Sequence, residues 1–306
     1  MKQEKTLKDL NLLDRFLFAE AADDPEFIEL LLEIILGKDV ALKHLPQTEK
    51  ENRKSLWSKH IKLDVWAMDT DDAIYDTEVQ NRNTGNLPKR TRFYHDLIGS
   101  KLLPPGTVDY SKLNDVFVIM IMPFDLFGKG AYQYTFRMTC EEFPGLKLHD
   151  GVTTIFLNTK GTNTDGVSDE LISLLKYFED TRPEIAAESD SKRILKMQEK
   201  VEAIRANEEI GVKLMNAWEE KIYDREDGRQ EGLKEGLRQG MEKGLQKGLH
   251  EGMEKGLQKG MEQGLEKGFT DAQEQLISKM KRTLSDEEIA KLTDIPLETV
   301  KAVSAK

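Results

Sequence analysis

Apolar residues near the start of the chain recur at the three- and four-residue spacing of an α-helix. Asp24 precedes this run as a candidate cap, and Gly37 follows it as a candidate helix end. The apolar positions are Phe27, Leu30, Leu31, Ile34 and Ile35. The pattern predicts helix from Leu12 to Gly37, with an interruption near Pro25.

Strand patterns follow, and the first two are joined by a polar turn. Ile61 to Ala67 and Ala73 to Gln80 predict strands, and the polar residues Asp69 to Asp72 between them predict a hairpin. Asp115 to Met122 is an apolar run without alternation, which is typical of a strand buried on both faces. The remaining predicted elements are a helix from Pro88 to Leu103, strands from Tyr132 to Met138 and from Val152 to Leu157, and a helix from Ser168 to Phe178. This order predicts an α/β domain with a mixed sheet over residues 1–180.

The pattern changes after Pro183. Residues 181–227 are charged and predict a helical linker, residues 228–269 form a repeat, and residues 270–306 predict a small helical tail. In the repeat, glycine occupies every fourth position from Gly228 to Gly268. Leu or Met follows the glycines from Gly232 to Gly264, and Phe269 follows the last glycine. The chain therefore ends in a helical arm that carries a glycine repeat.

The repeat has two properties that bear on its structure. A step of four residues overshoots one helical turn by about 40°, so the apolar stripe winds around the helix axis. Each glycine costs roughly 1 kcal/mol relative to alanine inside a helix. These properties argue against a long isolated helix and favour a frayed helix or a self-associating rod. The spacing resembles that of packed membrane helices, but the interspersed Glu and Lys residues exclude a lipid environment. A tether and an oligomerisation segment both remain open.

The tail has the spacing of a helix-turn-helix unit. Ser285 and Glu288 form a capping-box pattern at the start of its first helix. A helix that recognises DNA bases needs basic or amide side chains, and the second helix offers Glu298, Thr299 and Lys301. The sequence favours a small helical cap over a unit that recognises a DNA sequence.

Charge and cysteine content limit the class of protein. The net charge of −11 argues against a protein that coats nucleic acid, although basic stretches at Lys43 to Lys62 and Arg82 to Lys101 flank the hairpin. The single cysteine, Cys140, cannot form an internal disulfide, which indicates a reducing compartment. The charged start resembles no signal peptide, and no apolar run is long enough to span a membrane. We expect a soluble cytoplasmic protein with no membrane partner.

The predicted hairpin carries the side chains with the clearest chemistry. Side chains alternate along a strand, so Glu78 and Gln80 share one face, and Lys62 and Asp64 share one face of the partner strand. A carboxylate inside a strand is disfavoured unless it has a role. Two carboxylates together with the Val79 carbonyl would offer the hard oxygen ligands that Mg²⁺ or Mn²⁺ prefers. The alternative is a hairpin exposed to solvent on which Lys62 pairs with Glu78.

Several motifs of the chain resemble a known family. The motifs are Leu13-Asp14-Arg15-Phe16-Leu17-Phe18, Lys62-Leu63-Asp64-Val65, Glu78-Val79-Gln80, Leu87-Pro88-Lys89-Arg90-Thr91-Arg92-Phe93-Tyr94 and Phe124-Asp125-Leu126-Phe127-Gly128. Together with the glycine repeat, they are similar to those of the Rpn family of recombination-promoting nucleases and transposases. This family lies in the PD-(D/E)XK nuclease superfamily, and the resemblance implies its restriction-endonuclease-like α/β core.

The resemblance also implies roles for individual residues. Asp64 and Glu78 match the metal ligands, and Gln80 matches a third position that more often holds lysine. A neutral amide cannot supply the charge of a lysine, so Lys62 or Arg90 is a candidate for a displaced cation. Asp14 is a candidate further acid. The expected DNA contacts are Lys89, Arg90, Arg92 and Tyr94.

Two functions follow as expectations. The first is a Mg²⁺-dependent (or Mn²⁺-dependent) DNA endonuclease associated with recombination or transposition, in which water attacks a phosphodiester. The second is a catalytically weak module that binds DNA or protein and assembles into a homo-oligomer through its C-terminal repeat. The set Asp64, Glu78 and Gln80 favours the first function, whereas the acidic balance and the missing lysine favour the second.

Overall fold

The computed structural model describes residues 6–52, 61–103 and 106–303, and for residues 49–52 and 61–63 it describes the backbone alone. The chain forms two compact units, Met1–Glu220 and Lys221–Lys306. The helices are α1 Arg15–Ala22, α2 Pro25–Leu36, α3 Leu87–Gly99, α4 Asp169–Glu179, α5 Pro183–Glu188, α6 Lys192–Arg205, α7 Glu208–Met280, α8 Asp286–Thr293 and α9 Leu297–Ala302. The strands are β1 Gln47–Asn52, β2 Ile61–Met68, β3 Ile74–Val79, β4 Val116–Met122, β5 Gln133–Phe136 and β6 Val152–Asn158.

The first unit is built on a mixed six-stranded sheet with the order β1-β2-β3-β4-β6-β5. Strands β3, β4 and β6 are parallel, and β1, β2 and β5 each pair antiparallel with a neighbour. The central strand β4 lies between two parallel neighbours, which explains its continuous apolar sequence. The predicted α/β class and the predicted hairpin are both confirmed.

Helices cover both faces of the sheet. Residues of α1, α2, α4 and α6 form one core with side chains from one sheet face, including Tyr75 and Ile119. Helix α3 packs on the opposite face, where Leu87, Tyr94 and Leu97 contact the layer of Val118 and Met120. The predicted break near Pro25 separates α1 from α2. Arg90, near the N-terminus of α3, lies beside Glu78 at the end of β3.

The first core extends beyond residue 180, where we expected the domain to end. Ile194, Met197 and Val201 on one face of α6 are fully buried in the same core as α2. Burial of each such side chain contributes about 1.5–3 kcal/mol. Residues 183–205 are therefore part of the first unit, and they differ from the charged linker that we expected over residues 181–227.

Strand β1 was not predicted. Its sequence, Gln-Thr-Glu-Lys-Glu-Asn, has no apolar residue, yet it pairs antiparallel with β2 at the edge of the sheet. An edge strand is held by backbone hydrogen bonds, and polar side chains are typical of such edges. Hydrophobic patterning therefore carries no signal for it.

The second unit has its own small core at the end of the chain. Ile277 of α7, Ile289 of α8 and Val300 of α9 are buried against one another. The Ser285 backbone N–H donates to Glu288 Oε2 at 2.9 Å, so the predicted capping box at the start of α8 is confirmed. Helix α9 has only six residues.

Helix α7 runs through the glycine repeat without interruption from Glu208 to Met280, so the repeat differs from the frayed helix that was one of the two expected alternatives. Between residues 228 and 268, no proline or β-branched residue stands between the glycines, and most of the intervening residues are strong helix formers. Ion pairs along the helix also stabilise it, such as that of Arg238 with Glu235 at 2.8 Å. In the described parts of the chain, no helix is both long enough and apolar enough to cross a lipid bilayer.

Candidate functional site

The hairpin of β2 and β3 is fixed by its turn. Asp69 Oδ1 accepts hydrogen bonds from the backbone N–H groups of Asp71 at 3.0 Å and Ala73 at 2.8 Å. Its Oδ2 accepts from the Tyr75 hydroxyl at 2.7 Å. The resulting register pairs Val65 with Thr77. One step further along the strands, Asp64 and Glu78 lie next to each other.

These two carboxylates are almost completely buried. Asp64 is 3% exposed and Glu78 is 1% exposed, and the Asp64 backbone N–H donates to Glu78 Oε1 at 3.2 Å. Burial, followed by repulsion from Asp64, raises the pKa of Glu78 to about 7. Burial also raises the pKa of Asp64, although Arg15 and the Val79 backbone hydrogen bond oppose the rise. Burial and proximity thus disfavour the charged forms of both carboxyls, and a positive partner stabilises those charged forms.

A third acid lies on the same face of β3. Asp76 is two residues before Glu78 and is fully buried, and neither of its carboxylate oxygens has a hydrogen-bond partner within the described ranges. Burial, with repulsion from Glu78 and Asp64, raises its pKa well above the usual range. Asp76 was not among the residues expected from the sequence, although the alternation of Asp76, Glu78 and Gln80 along β3 and the residue after it is a signal for it.

Arg90 of α3 is the cation beside Glu78. Its Nη2 donates to Glu78 Oε2 at 2.7 Å, and its Nη1 donates to Gln80 Oε1 at 2.9 Å. The Gln80 amide is itself held, because its Nε2 donates to the Arg82 carbonyl at 2.6 Å. Gln80 therefore acts on Arg90 and fixes the direction of its guanidinium. Arg90, one of the two candidates for a displaced cation, therefore lies at the carboxylates.

Tyr94 also supports Arg90, and this corrects its expected role as a DNA contact. The side chain is buried beneath the guanidinium, whose Cζ lies 5.2 Å from the centre of the ring. Arg90 Nε donates to the Tyr94 hydroxyl. A residue buried in this way positions Arg90 and is not available to contact a nucleic acid.

A second arginine reaches the site from α1. Arg15 forms an ion pair with Asp64 Oδ1 and keeps half of its side chain exposed. Its neighbour Asp14, the candidate further acid, caps α1 by accepting the Phe16 backbone N–H at 3.0 Å. The contact between Arg15 and Asp64 spans 49 positions of sequence and joins two elements, so no local pattern predicts it.

The other expected residues are placed as follows. Lys62 lies on β2, where its backbone pairs with Glu51, and its side chain is outside the described residues. Lys89 and Arg92 are exposed at the N-terminal half of α3. Val79 is buried at the end of β3, and its backbone N–H bonds the Asp64 carboxylate.

The donor set of the site suits a divalent cation in part. Two buried carboxylates with raised pKa values and the unpartnered oxygens of Asp76 provide the oxygen ligands that a hard cation prefers. Across the described ranges, however, no three His, Cys, Asp or Glu side chains are grouped closely enough to form a metal centre. The residues therefore fit a cation held by two protein carboxylates, with water completing the coordination, as is common for Mg²⁺.

Comparison with known proteins gives one match. Residues 13–231 match the PD-(D/E)XK nuclease family transposase, which covers the sheet, its helices and the start of the glycine repeat. No significant match was found among curated proteins or among solved structures. The match covers most of the chain and includes every residue of the site described above. The chain belongs to the PD-(D/E)XK nuclease family of transposases.

Proposed function

We propose that this chain is a metal-dependent DNA endonuclease that hydrolyses phosphodiesters, acts in recombination or transposition, and works in the cytoplasm. The observation that carries the proposal is the buried pair of Asp64 and Glu78 with an arginine on each side. In a purely structural arrangement, each buried acid would have its own cation. Here the two arginines pair with Asp64 and Glu78, and the third acid, Asp76, has no hydrogen-bond partner among the described residues. The excess of carboxylate is what a cation site requires.

The side chains of the site have distinct roles in this proposal. Asp64 and Glu78, with the Val79 carbonyl, would hold Mg²⁺ or Mn²⁺. When bound, such an ion supplies an acidified water molecule and offsets negative charge on the phosphate. Arg90 can stabilise a non-bridging phosphate oxygen through its guanidinium, because one edge already rests on Glu78 and Gln80. Gln80 and Tyr94 keep Arg90 in that direction.

The direct test is incubation of the purified chain with supercoiled plasmid in Mg²⁺, Mn²⁺ or EDTA. We expect nicked and linear products with either metal and none in EDTA. An Asp64→Ala variant, purified in the same way, controls for a contaminating nuclease. Intact plasmid in both metals, from a folded protein that still binds DNA, would leave the second function, a catalytically weak binding module.

The exposed N-terminal half of α3 is the proposed DNA-facing surface, represented by Lys89. Replacing Lys89 by Glu should weaken binding to DNA of any sequence, because a phosphate contact carries no sequence information. Removal of one phosphate contact should reduce the slope of log affinity against log salt concentration by about 0.9. Fluorescence anisotropy across a salt series measures this slope. An unchanged slope would mean that Lys89 is only a solvated surface residue.

The repeat helix supports self-assembly as a second function of the chain. Its ten Leu, Met and Phe side chains from Leu233 to Phe269 are each between 62% and 73% exposed, which is unusual for a regularly spaced apolar stripe. Its basic and acidic residues nearly balance, so copies of this helix would not repel one another strongly. We propose that the repeat joins copies of this chain.

Truncation after Asp227 should separate assembly from cleavage. We expect the shortened chain to remain folded, because its core ends within residues 1–220, and to form a smaller oligomer than the full chain. Multi-angle light scattering on both forms measures the oligomer number. Equal oligomer numbers would refute assembly through the repeat. Loss of cleavage at an equal oligomer number would show that the arm contributes to the substrate site.

A further inference from the structure

A groove of about 490 Å³ lies on the other side of α3 from the carboxylates, between that helix and strands β5 and β6. Its volume is within the range of small-ligand sites. Arg92 and His95 of α3 line one wall, and Phe136, Arg137 and Phe156 line the other. The carboxylate site and its two arginines include none of these residues.

Aromatic rings form the apolar wall of the groove. The ring centroid of Phe127 lies 5.0 Å from that of Phe136 and 5.3 Å from that of Phe156. Phe156 is buried, whereas Phe136 is 47% exposed. Phe136 therefore rests on a rigid aromatic support and still presents ring surface to the groove. Such a ring is a platform for a flat ligand.

The polar lining has both donors and acceptors. Arg92 is exposed and has no ion-pair partner among the described side chains, and Arg137 donates its Nε to Thr153 Oγ1 at 3.1 Å. The His95 Nε2 is 2.9 Å from Thr154 Oγ1, while its buried Nδ1 has no partner in the described part of the chain. Asp96 and Asp150 add carboxylate acceptors. An aromatic platform beside donors and acceptors matches the flat faces and polar edges of a nucleobase.

Helix α3 connects this groove to the candidate nuclease site. Arg90 faces Glu78, and Arg92, two residues later, is turned by about 200° around the helix and lines the groove. A helix with its side chains is about 10–12 Å across. Neighbouring nucleotides of one strand are separated by about 3.4 Å along a duplex. A base in the groove would therefore belong to a nucleotide within about three positions of a phosphate beside Arg90.

We propose that the groove between α3 and the β5–β6 edge binds an unstacked nucleobase of the DNA substrate. The inference rests on the proposed nuclease function, because it takes the strand at Arg90 to be DNA. If the groove binds such a base, the preferred substrate is a DNA that has unpaired nucleotides close to the cleaved bond. The base stacks on Phe136, and the side chains of Arg92, Arg137 and His95 contact its edge or the adjoining phosphate.

Binding in EDTA tests the proposal without cleavage. Fluorescence anisotropy compares a short duplex that carries a bulge of unpaired nucleotides with a fully paired duplex of the same net charge. We expect the full-length chain to bind the bulged DNA roughly five- to hundredfold more tightly, the range that stacking of one base on an aromatic side chain supplies. Equal affinity for the two DNAs would overturn the proposal.

Substitutions at Phe136 separate stacking from packing. Phe136→Leu keeps an apolar side chain but removes the ring, and it should abolish the preference for bulged DNA. Phe136→Tyr keeps the ring and should retain the preference. Phe143→Leu is the matched control, since Phe143 is 67% exposed and lies outside the groove. A preference that survives Phe136→Leu, or that Phe143→Leu also removes, contradicts the assignment.

The outcomes distinguish this inference from the nuclease proposal. If the chain cuts plasmid but Phe136→Leu changes no affinity, the groove assignment fails and the nuclease proposal stands. If the preference depends on the Phe136 ring but no metal supports cleavage, the groove binds a base and the nuclease proposal fails. If Phe136→Leu changes the oligomer number and leaves DNA affinity unchanged, the groove contacts a second copy of the chain, and the proposal that it binds a base is refuted.

Discussion

Replacing Asp64 by Asn or Glu78 by Gln should reduce metal-dependent cleavage of supercoiled DNA by on the order of a thousandfold. That is the upper end of the loss seen when one stabilising group is removed from an active site. Each amide keeps the size of the acid and its ability to accept a hydrogen bond, but it removes the charge that holds a cation. The rate of plasmid nicking in Mn²⁺ measures the effect. Cleavage at the rate of the unsubstituted chain by either variant would refute the assignment.

The same variants should not unfold the protein, which distinguishes a site from a structural ion pair. The folded chain binds a proton at Glu78 more tightly than the unfolded chain, because its pKa is raised from 4.5 to about 7. The contribution of this group to the free energy of unfolding is therefore present below about pH 4.5 and is lost as the pH rises through about 7. In EDTA, Glu78→Gln should gain stability relative to the unsubstituted chain as the pH rises from about 5 to about 8. Glu141→Gln, at an exposed carboxylate, is the control.

Replacing Gln80 by Lys should lower cleavage by about a hundredfold, even though lysine is the commoner residue at this position in the superfamily. Gln80 Oε1 accepts a hydrogen bond from Arg90 Nη1 at 2.9 Å. A lysine would remove this acceptor and place a second positive charge beside the guanidinium. The double variant Gln80→Lys with Arg90→Gln exchanges the amide and the cation, and it should recover most of the lost rate.

The cleavage rate at saturating DNA decides whether the substitution at Gln80 acts on the chemical step or on DNA binding. A change in the strength of DNA binding alone would alter the concentration needed for half-maximal cleavage and leave the maximal rate unchanged. Lys89→Gln, on the same helix, should show that behaviour. Full activity of Gln80→Lys alone would mean that position 80 carries the charge directly and that Arg90 is not its source.

The fold was predictable wherever burial leaves either a continuous apolar run or an apolar periodicity in the sequence. The run from Val116 to Met122 and the helical spacing after Asp24 both reflect packing on a core, and both elements are where the sequence predicts them. Strand β1 is polar at every position because an edge strand is held through its backbone. For α6, the spacing of Ile194, Met197 and Val201 was a usable signal, but the charged residues between them obscured it.

The candidate site was predictable only in its strand residues. Alternation placed Glu78 and Gln80 on one face, and the polar turn brought Asp64 beside Glu78. The cations come from helices that are distant in sequence, and their contacts depend on tertiary packing. Arg90 was one of two candidate cations on the sequence alone, while Arg15 belonged to a recognised motif but was not assigned to the site. Tyr94 was assigned to DNA from its motif, and only its burial showed that it holds Arg90.

Titration of Mn²⁺ into the metal-free, full-length chain, followed by calorimetry, measures whether Asp64 and Glu78 hold a divalent cation. We expect one binding event in the unsubstituted chain, its loss in Asp64→Asn and in Glu78→Gln, and its retention in Glu141→Gln. Binding of equal strength in all four proteins, or no binding in the unsubstituted chain, would contradict a cation site at Asp64 and Glu78.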